Sequence, residues 1–409
     1  MHNFRDFDPV KDQKAAHRIW REINWISEEK EEKMLDAFLK EGRAMVAEID
    51  GEAECLVSAK PSELRYQKKD LNLSVVTSVG TSRIARKQGL AKRLTAKVIA
   101  HEAEDGAIAS TLGIFEQGFY NQLGYGGGSY EHWISFDPAD LKVERNFDPP
   151  KRLDKDDWKL VMDSMHKRQK RHGAVTLLPV HIAEAELGWT ENGFGLGYLN
   201  EAGELTHFFW GKIKGEIGPM EIQVMAYRNF DQFLELMAVM KSLGDQVRLV
   251  TMREPSGILM QDLIINPFRK RNVTRKAKYE HNHRAIGYWQ TRICNLAACV
   301  AASSFRTGSI SFNLDLSDPI EKYLDDSTSW KGCAGQYTVT LGATSDATEG
   351  FTDGLPTITA DVGAFTRLWL GVLSATGLAV TDNLSGPQKL LEELDEIITL
   401  PQPHPDWDY

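Results

Sequence analysis

Cysteine is scarce in this chain. Cys55, Cys294, Cys299 and Cys333 are the only four in 409 residues, and no two form a C-x-x-C pair. They offer no disulfide framework and read as free thiols in a reducing compartment. Long apolar runs are missing as well. None approaches the length needed to span a bilayer. The opening MHNFRDFDPVKDQ is too polar and charged for a signal peptide. No membrane role is expected, and the expected location is the cytoplasm. A basic excess is also absent, since the formal net charge is −10. Binding a phosphate backbone needs a basic face, so nucleic acid is not the expected partner. An acidic chain is compatible with cationic substrates. What remains is ordinary globular composition, 42% apolar and 26% charged, in a chain long enough for two or three domains.

The first stretch alternates helices and strands. Pro9 to Trp20 and Glu29 to Leu39 carry apolar residues at helical spacing. Ala44 to Ile49 and Ala53 to Ala59 flank Asp50-Gly51, a dipeptide that suits a tight hairpin turn. Leu71 to Thr81 predicts a long strand and Leu90 to Glu104 a strong helix. Ala107 to Leu112 predicts a strand, Gly118 to Leu123 a short helix, and Tyr130 to Phe136 a closing strand. The proline break at Asn146 to Pro150 marks a boundary. The next stretch repeats a similar order, with helices at Val180 to Leu187 and Phe230 to Leu243 and strands at Gly195 to Leu199 and Glu204 to Trp210. A third stretch starts near Gly287. It has an expected helix over Thr291 to Ser303, strands at Ser309 to Leu314 and Gln336 to Leu341, and helices at Val362 to Thr376 and Pro387 to Ile397. Three prolines between Leu400 and Tyr409 keep the tail extended.

The chemistry concentrates in Val79-Gly80-Thr81-Ser-Arg-Ile-Ala-Arg86-Lys87-Gln88-Gly89-Leu90-Ala91, where a strand meets a turn and the turn meets a helix. The first amides of a helix lack internal partners and the helix dipole is positive there, so this end attracts phosphate. Gly89 and the small Ala91 let the backbone approach a pyrophosphate closely, and Arg86 and Lys87 add charge. Alone, R-x-x-G-x-A is a common string. About thirty residues downstream stands Gly118-Phe-Tyr120-Asn-Gln-Leu-Gly124-Tyr125. When an amine attacks a thioester, the departing thiolate needs a proton, and a phenol can supply it. Tyr120 is the candidate acid, while Tyr125 reads as a packing or turn residue.

Together these residues resemble the Gcn5-related N-acetyltransferase (GNAT) superfamily over roughly residues 1 to 137. The resemblance implies acetyl-CoA as co-substrate, no metal, and contacts to the pantetheine arm from Val79 and Thr81. It also implies a pyrophosphate grip by Arg86 to Ala91, with Tyr120 protonating the thiolate. The family more often has an apolar residue at the position of Thr81 and a proline at that of Arg83. The whole chain is similar to the enhanced intracellular survival (Eis) family. Asp361 to Leu378 and Pro387 to Tyr409 resemble the sterol-carrier-like helix and the last helix and tail of that family. The implied fold is α/β (α+β), with tandem GNAT-like domains followed by a sterol-carrier-protein-like α+β domain. The expected boundaries are an active domain over 1–145, a degenerate second one over 146–286, and the third over 287–409. The resemblance further implies that the chain's end enters the active site. The α-carboxylate of Tyr409 then serves as base for the amine, and Asp408 contacts a cationic substrate. It implies a homo-oligomer, with a hexamer as one form.

Trp20 and Trp25 flank the join of the first two helices and are candidates for an aromatic substrate wall; for Trp20 a core role is the alternative. The run Glu28 to Lys33 reads as a solvated helix face. The basic runs His166 to His172 and Arg269 to Lys278 are short, lack interleaved aromatics and sit in an acidic chain, so they do not argue for nucleic acid. Glu280-His281-Asn282-His283 reads as surface histidines, because no second ligand cluster accompanies it. The acceptor stays open between a small polyamine-like or aminoglycoside-like amine and a protein or peptide lysine. A lipid or acyl-chain carrier, acting through the third stretch, is the alternative of another class.

Overall fold

The computed structural model describes residues 3–116, 118–267 and 276–409, so residues 269–275 of the second basic run lie outside the described residues. Three sheets organise the chain. The first runs Asn3–Asp6, Arg43–Ile49, Glu52–Tyr66, Lys69–Thr81, Ala109–Gly113, Trp289–Ile293 and Gly126–Gly127, with Val175–Leu177 added against Glu52–Tyr66. Asp50 and Gly51 take the positive φ values, 52° and 86°, that their hairpin turn requires. The crossover from Lys69–Thr81 to the parallel strand Ala109–Gly113 is helix Leu90–Glu104. That helix buries Leu94, Thr95, Ala96, Val98 and Ile99. Even Lys97 on its outer side is covered, with Nζ donating to Asp325 at 2.8 Å and Ser327 at 2.7 Å.

The second sheet runs Asn282–Ile286, Glu131–Phe136, Val250–Arg253, Met220–Ala226, Leu205–Ile213, Gly193–Leu199 and Lys151–Leu153. The third runs Asp346–Glu349, Gly335–Leu341, Ile310–Ser317, Thr357–Asp361 and Leu384–Ser385. Two strands depart from the expected order. Glu131–Phe136, expected to close the first sheet, pairs instead with Val250–Arg253 and Asn282–Ile286 in the second. Its place in the first sheet is taken by Trp289–Ile293, which lies between Ala109–Gly113 and Gly126–Gly127. Within the expected helix over Thr291 to Ser303, the first three residues belong to this strand and a shorter helix follows at Leu296–Ala302. The reason is burial. All five residues of Trp289–Ile293 are buried, as a strand with neighbours on both edges demands. The first two sheets thus interleave across residue 145, while the second sheet's last strand in sequence ends at Ile286.

One ion pair fixes the third sheet's layer to the first. Arg292 and Asp318 have fully buried side chains, with Nη2 2.6 Å from Oδ2. Arg292 also donates to the carbonyl of Leu123, and Asp318 accepts from the amides of Ile320 and Cys333. Every charge-bearing atom of the pair is therefore matched, which is what makes a buried pair tolerable. Helix Val362–Trp369 packs on the same side. Trp369 stacks on Tyr66 at 4.5 Å, and its Nε1 donates to the carbonyl of Cys299.

Candidate active site

Strands Lys69–Thr81 and Ala109–Gly113 are hydrogen-bonded only from Leu73↔Ala109 to Val76↔Leu112. Just beyond, the longer strand bulges. Ser78 takes a φ of 58°, and the register against Glu52–Tyr66 shifts between Leu56 and Ser58. A bulge bends its strand and redirects it, so a wedge opens past Val76. Val79, Gly80 and Thr81 line this opening. A Cβ on Gly80 would sit 3.1 Å from Ile19, so the glycine lets helix Pro9–Glu22 approach the strand.

The strand ends in a short helical turn at Arg83–Ala85. The carboxylate of Glu22 accepts from the Arg83 N–H at 2.6 Å and pins the turn. Lys87 and Gly89 take left-handed angles, φ 62° and 77°, and helix Leu90–Glu104 begins with no side chain capping its first amides. Those amides face a cleft of about 700 Å³ lined by Arg86, Lys87, Gly89, Leu90 and Ala91. Gln88 is the exception among the expected cofactor residues. Its side chain folds back to donate to the carbonyl of Ile84 at 3.1 Å.

Tyr120, like Trp25, lines the same cleft. Its side chain is held edge-on by Phe119 at 4.9 Å, and burial, with Glu116 adding to it, pushes its phenol up to about 12. The phenol is therefore protonated at neutral pH. Gly124 ends its turn at φ 81°, with no room for a side chain: a Cβ there would lie 2.5 Å from Val362. Tyr125 is a packing residue, as expected, fully buried with its hydroxyl 2.7 Å from Ser110 Oγ.

The tail is fastened along its length. Ser129 donates to the carbonyl of Pro403, and His404 N donates to the carbonyl of His172 at 3.0 Å. Arg168 holds Asp406 through two bonds of 2.7 Å each. Trp407 Nε1 donates to Glu186 at 3.1 Å, and Arg253 holds Asp408. The basic run His166 to His172 is thus a fastening strip for the tail, with Arg168 and His172 buried. At the end, the Tyr409 hydroxyl is 3.1 Å from Thr111 Oγ1, and its main-chain oxygen accepts from Tyr288 at 3.3 Å. A Cβ on Gly113 would fall 3.0 Å from that oxygen. Tyr409 therefore abuts the end of the strand that leads into Phe115 and Glu116 of the cleft.

A second hollow of about 780 Å³ lies beside the tail, lined by Glu186, Trp189, Trp210, Asp406, Trp407 and Asp408. Burial pushes the Glu186 carboxyl up to about 8, against the opposing hydrogen bond from Trp407. Trp20, expected as a wall of the substrate site, is buried between the two hollows. It meets Trp25 edge-on at 5.0 Å and stacks on Trp189 at 5.7 Å. Asp408, expected to face a cationic substrate, is half exposed and has one oxygen taken by Arg253. Arg168, Glu186, Arg253, Tyr288 and Thr111 were not legible as site residues; each meets the tail only after the chain has folded back on itself.

Residues 11–128 match the model of the acetyltransferase (GNAT) domain. The chain carries a GNAT acetyltransferase domain. The cleft, the turn and Tyr120 all lie within that match. Residues 308–405 match the sterol carrier protein domain. None of the curated proteins compared with the chain matches it. Among solved structures the chain is similar to a conserved protein from Enterococcus faecalis, at 17% identity and a TM-score of 0.80. It is also similar to a GCN5-related N-acetyltransferase from Anabaena variabilis, at 12% and 0.78, and to Eis1 from Mycobacterium abscessus, at 15% and 0.76. Each likeness covers 100% of both chains, so the whole three-part fold is shared, GNAT-like and sterol-carrier-like parts included. No described helix is long and apolar enough to cross a membrane.

Proposed function

We propose that this chain transfers the acetyl group of acetyl-CoA directly to a primary amine on a small polycationic molecule. The observation that carries the proposal is the shared cleft. The uncapped helix start at Leu90 and the protonated phenol of Tyr120 face one wedge between two splayed strands. In this reading the amides and Arg86 bind the pyrophosphate, and the strand edge at Val79 to Thr81 binds the pantetheine arm. Tyr120 gives its proton to the departing thiolate. The carboxylate of Tyr409, held beside Gly113, accepts a proton from the incoming ammonium, directly or through water.

The hollow with Trp189, Trp210 and Trp407 in its lining supports a small cationic acceptor, because aromatic rings attract cations. The carrier reading is less favoured. A tunnel would need an apolar groove under the helix Val362–Trp369, and that helix is packed against Gly124, Gly126 and Tyr66. A panel of aminoglycosides, polyamines and lysine peptides, assayed for thiol release, tests the acceptor class. Tyr120→Phe tests the acid: turnover should fall roughly 10²–10⁴-fold with acetyl-CoA affinity unchanged. Unaltered turnover removes Tyr120 from the mechanism. A C-terminal extension beyond Tyr409 should also abolish turnover, and full activity in such a protein removes the carboxylate as base.

A further inference from the structure

Three neighbouring strands at the edge of the second sheet bring His283, His132 and Glu254 together on one face. Asn282–Ile286 pairs antiparallel with Glu131–Phe136, setting His283 opposite Ile134 and Ala285 opposite His132. Side chains alternate along a strand, so His132 and His283 are diagonal neighbours on the same side. On the other flank Arg253 pairs with Trp133. Glu254 continues that register, its N–H donating to the His132 carbonyl at 2.8 Å. His132 Nδ1 lies 3.1 Å from His283 Nε2, which in turn lies 3.9 Å from Glu254 Oε2. One ligand atom from each of the three residues falls within 4.8 Å of the others.

We propose that His132, His283 and Glu254 form a binding site for a divalent transition-metal ion, zinc being the ion the donor set fits best. Two imidazoles and one carboxylate are a set that zinc accepts, with a fourth position for water. Zinc bonds of ~2.0–2.1 Å in tetrahedral geometry put ligand atoms ~3.3 Å apart, and the observed 3.1 Å and 3.9 Å bracket that spacing. Glu254 is already oriented for the task. Its Oε1 accepts from the Met260 N–H at 2.8 Å, which turns Oε2 toward the histidines. His283 is 37% exposed at the side chain, and the trio borders a cavity of about 1160 Å³, so an ion and its water have an entry path.

The site stands apart from the cofactor cleft, and its role follows from the strands it joins. An ion there ties the edge strand Asn282–Ile286 to Glu131–Phe136 and to the end of Val250–Arg253, the next two strands of the sheet. The opposite side of those neighbours carries Arg253, which lies over the Trp133 ring and holds Asp408 of the tail. The metal therefore braces the platform on which the end of the chain rests. Along the sequence the two histidines lie far apart, so the 280–283 cluster had no visible complement.

Calorimetric titration of the chelator-stripped full-length protein with zinc, and with cobalt followed by its visible absorption, tests the site. The expected result is one ion per chain with a dissociation constant of about 1 µM or tighter. The melting temperature should also rise on zinc addition, as for any ligand of the folded state. His283→Ala and Glu254→Gln should each weaken binding roughly tenfold or more, since each removes one of three ligands. His281→Ala, just before the same strand, should bind as the parent does. Melts of each variant without metal confirm that it folds. Absence of stoichiometric binding, or binding unchanged in both ligand variants, overturns the proposal.

Discussion

Glu186 should make the protein less stable as the pH rises from acid to neutral, and Glu186→Gln should remove that loss. The carboxyl is partly buried and accepts from the Trp407 N–H, and its folded-state value is raised from 4.5 to about 8. A raised carboxyl is neutral in the fold across a range where the unfolded chain has already ionised it. Below pH 4.5 both states hold the proton and nothing is lost. Between 4.5 and 8 the folded state keeps a proton that the unfolded state gives up, and each pH unit costs about 1.4 kcal/mol. At pH 7 the accumulated cost is about 3 kcal/mol relative to a side chain that does not titrate. Glutamine keeps an oxygen for the Trp407 N–H and carries no charge. Urea unfolding of both proteins at intervals from pH 5 to pH 9 measures the effect. The variant should gain on the parent steadily up to pH 8, then run parallel to it. Parallel curves across the whole range would refute the reasoning and place Glu186 in an ordinary solvated environment.

Three further outcomes follow from packing. Asp318→Asn leaves the buried Arg292 guanidinium without its counter-charge and should cost about 3–5 kcal/mol in chemical denaturation. Gly124→Ala forces a side chain into a left-handed position and against Val362, with an expected cost of roughly 2–4 kcal/mol. Turnover should drop with it, because Gly124 closes the turn that aims Tyr120. Arg168→Met frees Asp406, and carboxypeptidase should then release Tyr409 roughly tenfold faster or more, since charged hydrogen bonds each contribute about 1.5–3 kcal/mol.

The parts of the site that were legible in the sequence are local ones. Arg86 to Ala91 read as a phosphate turn because a turn and a helix start are built by adjacent residues. Tyr120 could be placed on a short turn because Gly118 and Gly124 delimit it. Asp50-Gly51 placed a hairpin for the same reason. What was hidden depends on residues distant in sequence. The start of the expected helix over Thr291 to Ser303 fell on a strand because a strand buried on both faces loses the alternation that marks one. Arg168 sat in a short basic run, and nothing nearby revealed that Asp406 would cover it. Gln88 belonged to the right motif, yet its amide satisfies the turn rather than the cleft.

The seating of Trp289–Ile293 between Ala109–Gly113 and Gly126–Gly127 also has a meaning in time. On the ribosome the strand that ends at Gly113 must wait for a neighbour still to be translated, a delay of about 10–35 seconds at ordinary elongation rates. Until then the sheet that carries the cofactor turn has an open slot, and the nascent first domain is a sheet with its side unzipped. Chaperone occupancy during synthesis should therefore persist until Ile293 clears the exit tunnel, well after the last residue of the GNAT match at 128 has emerged.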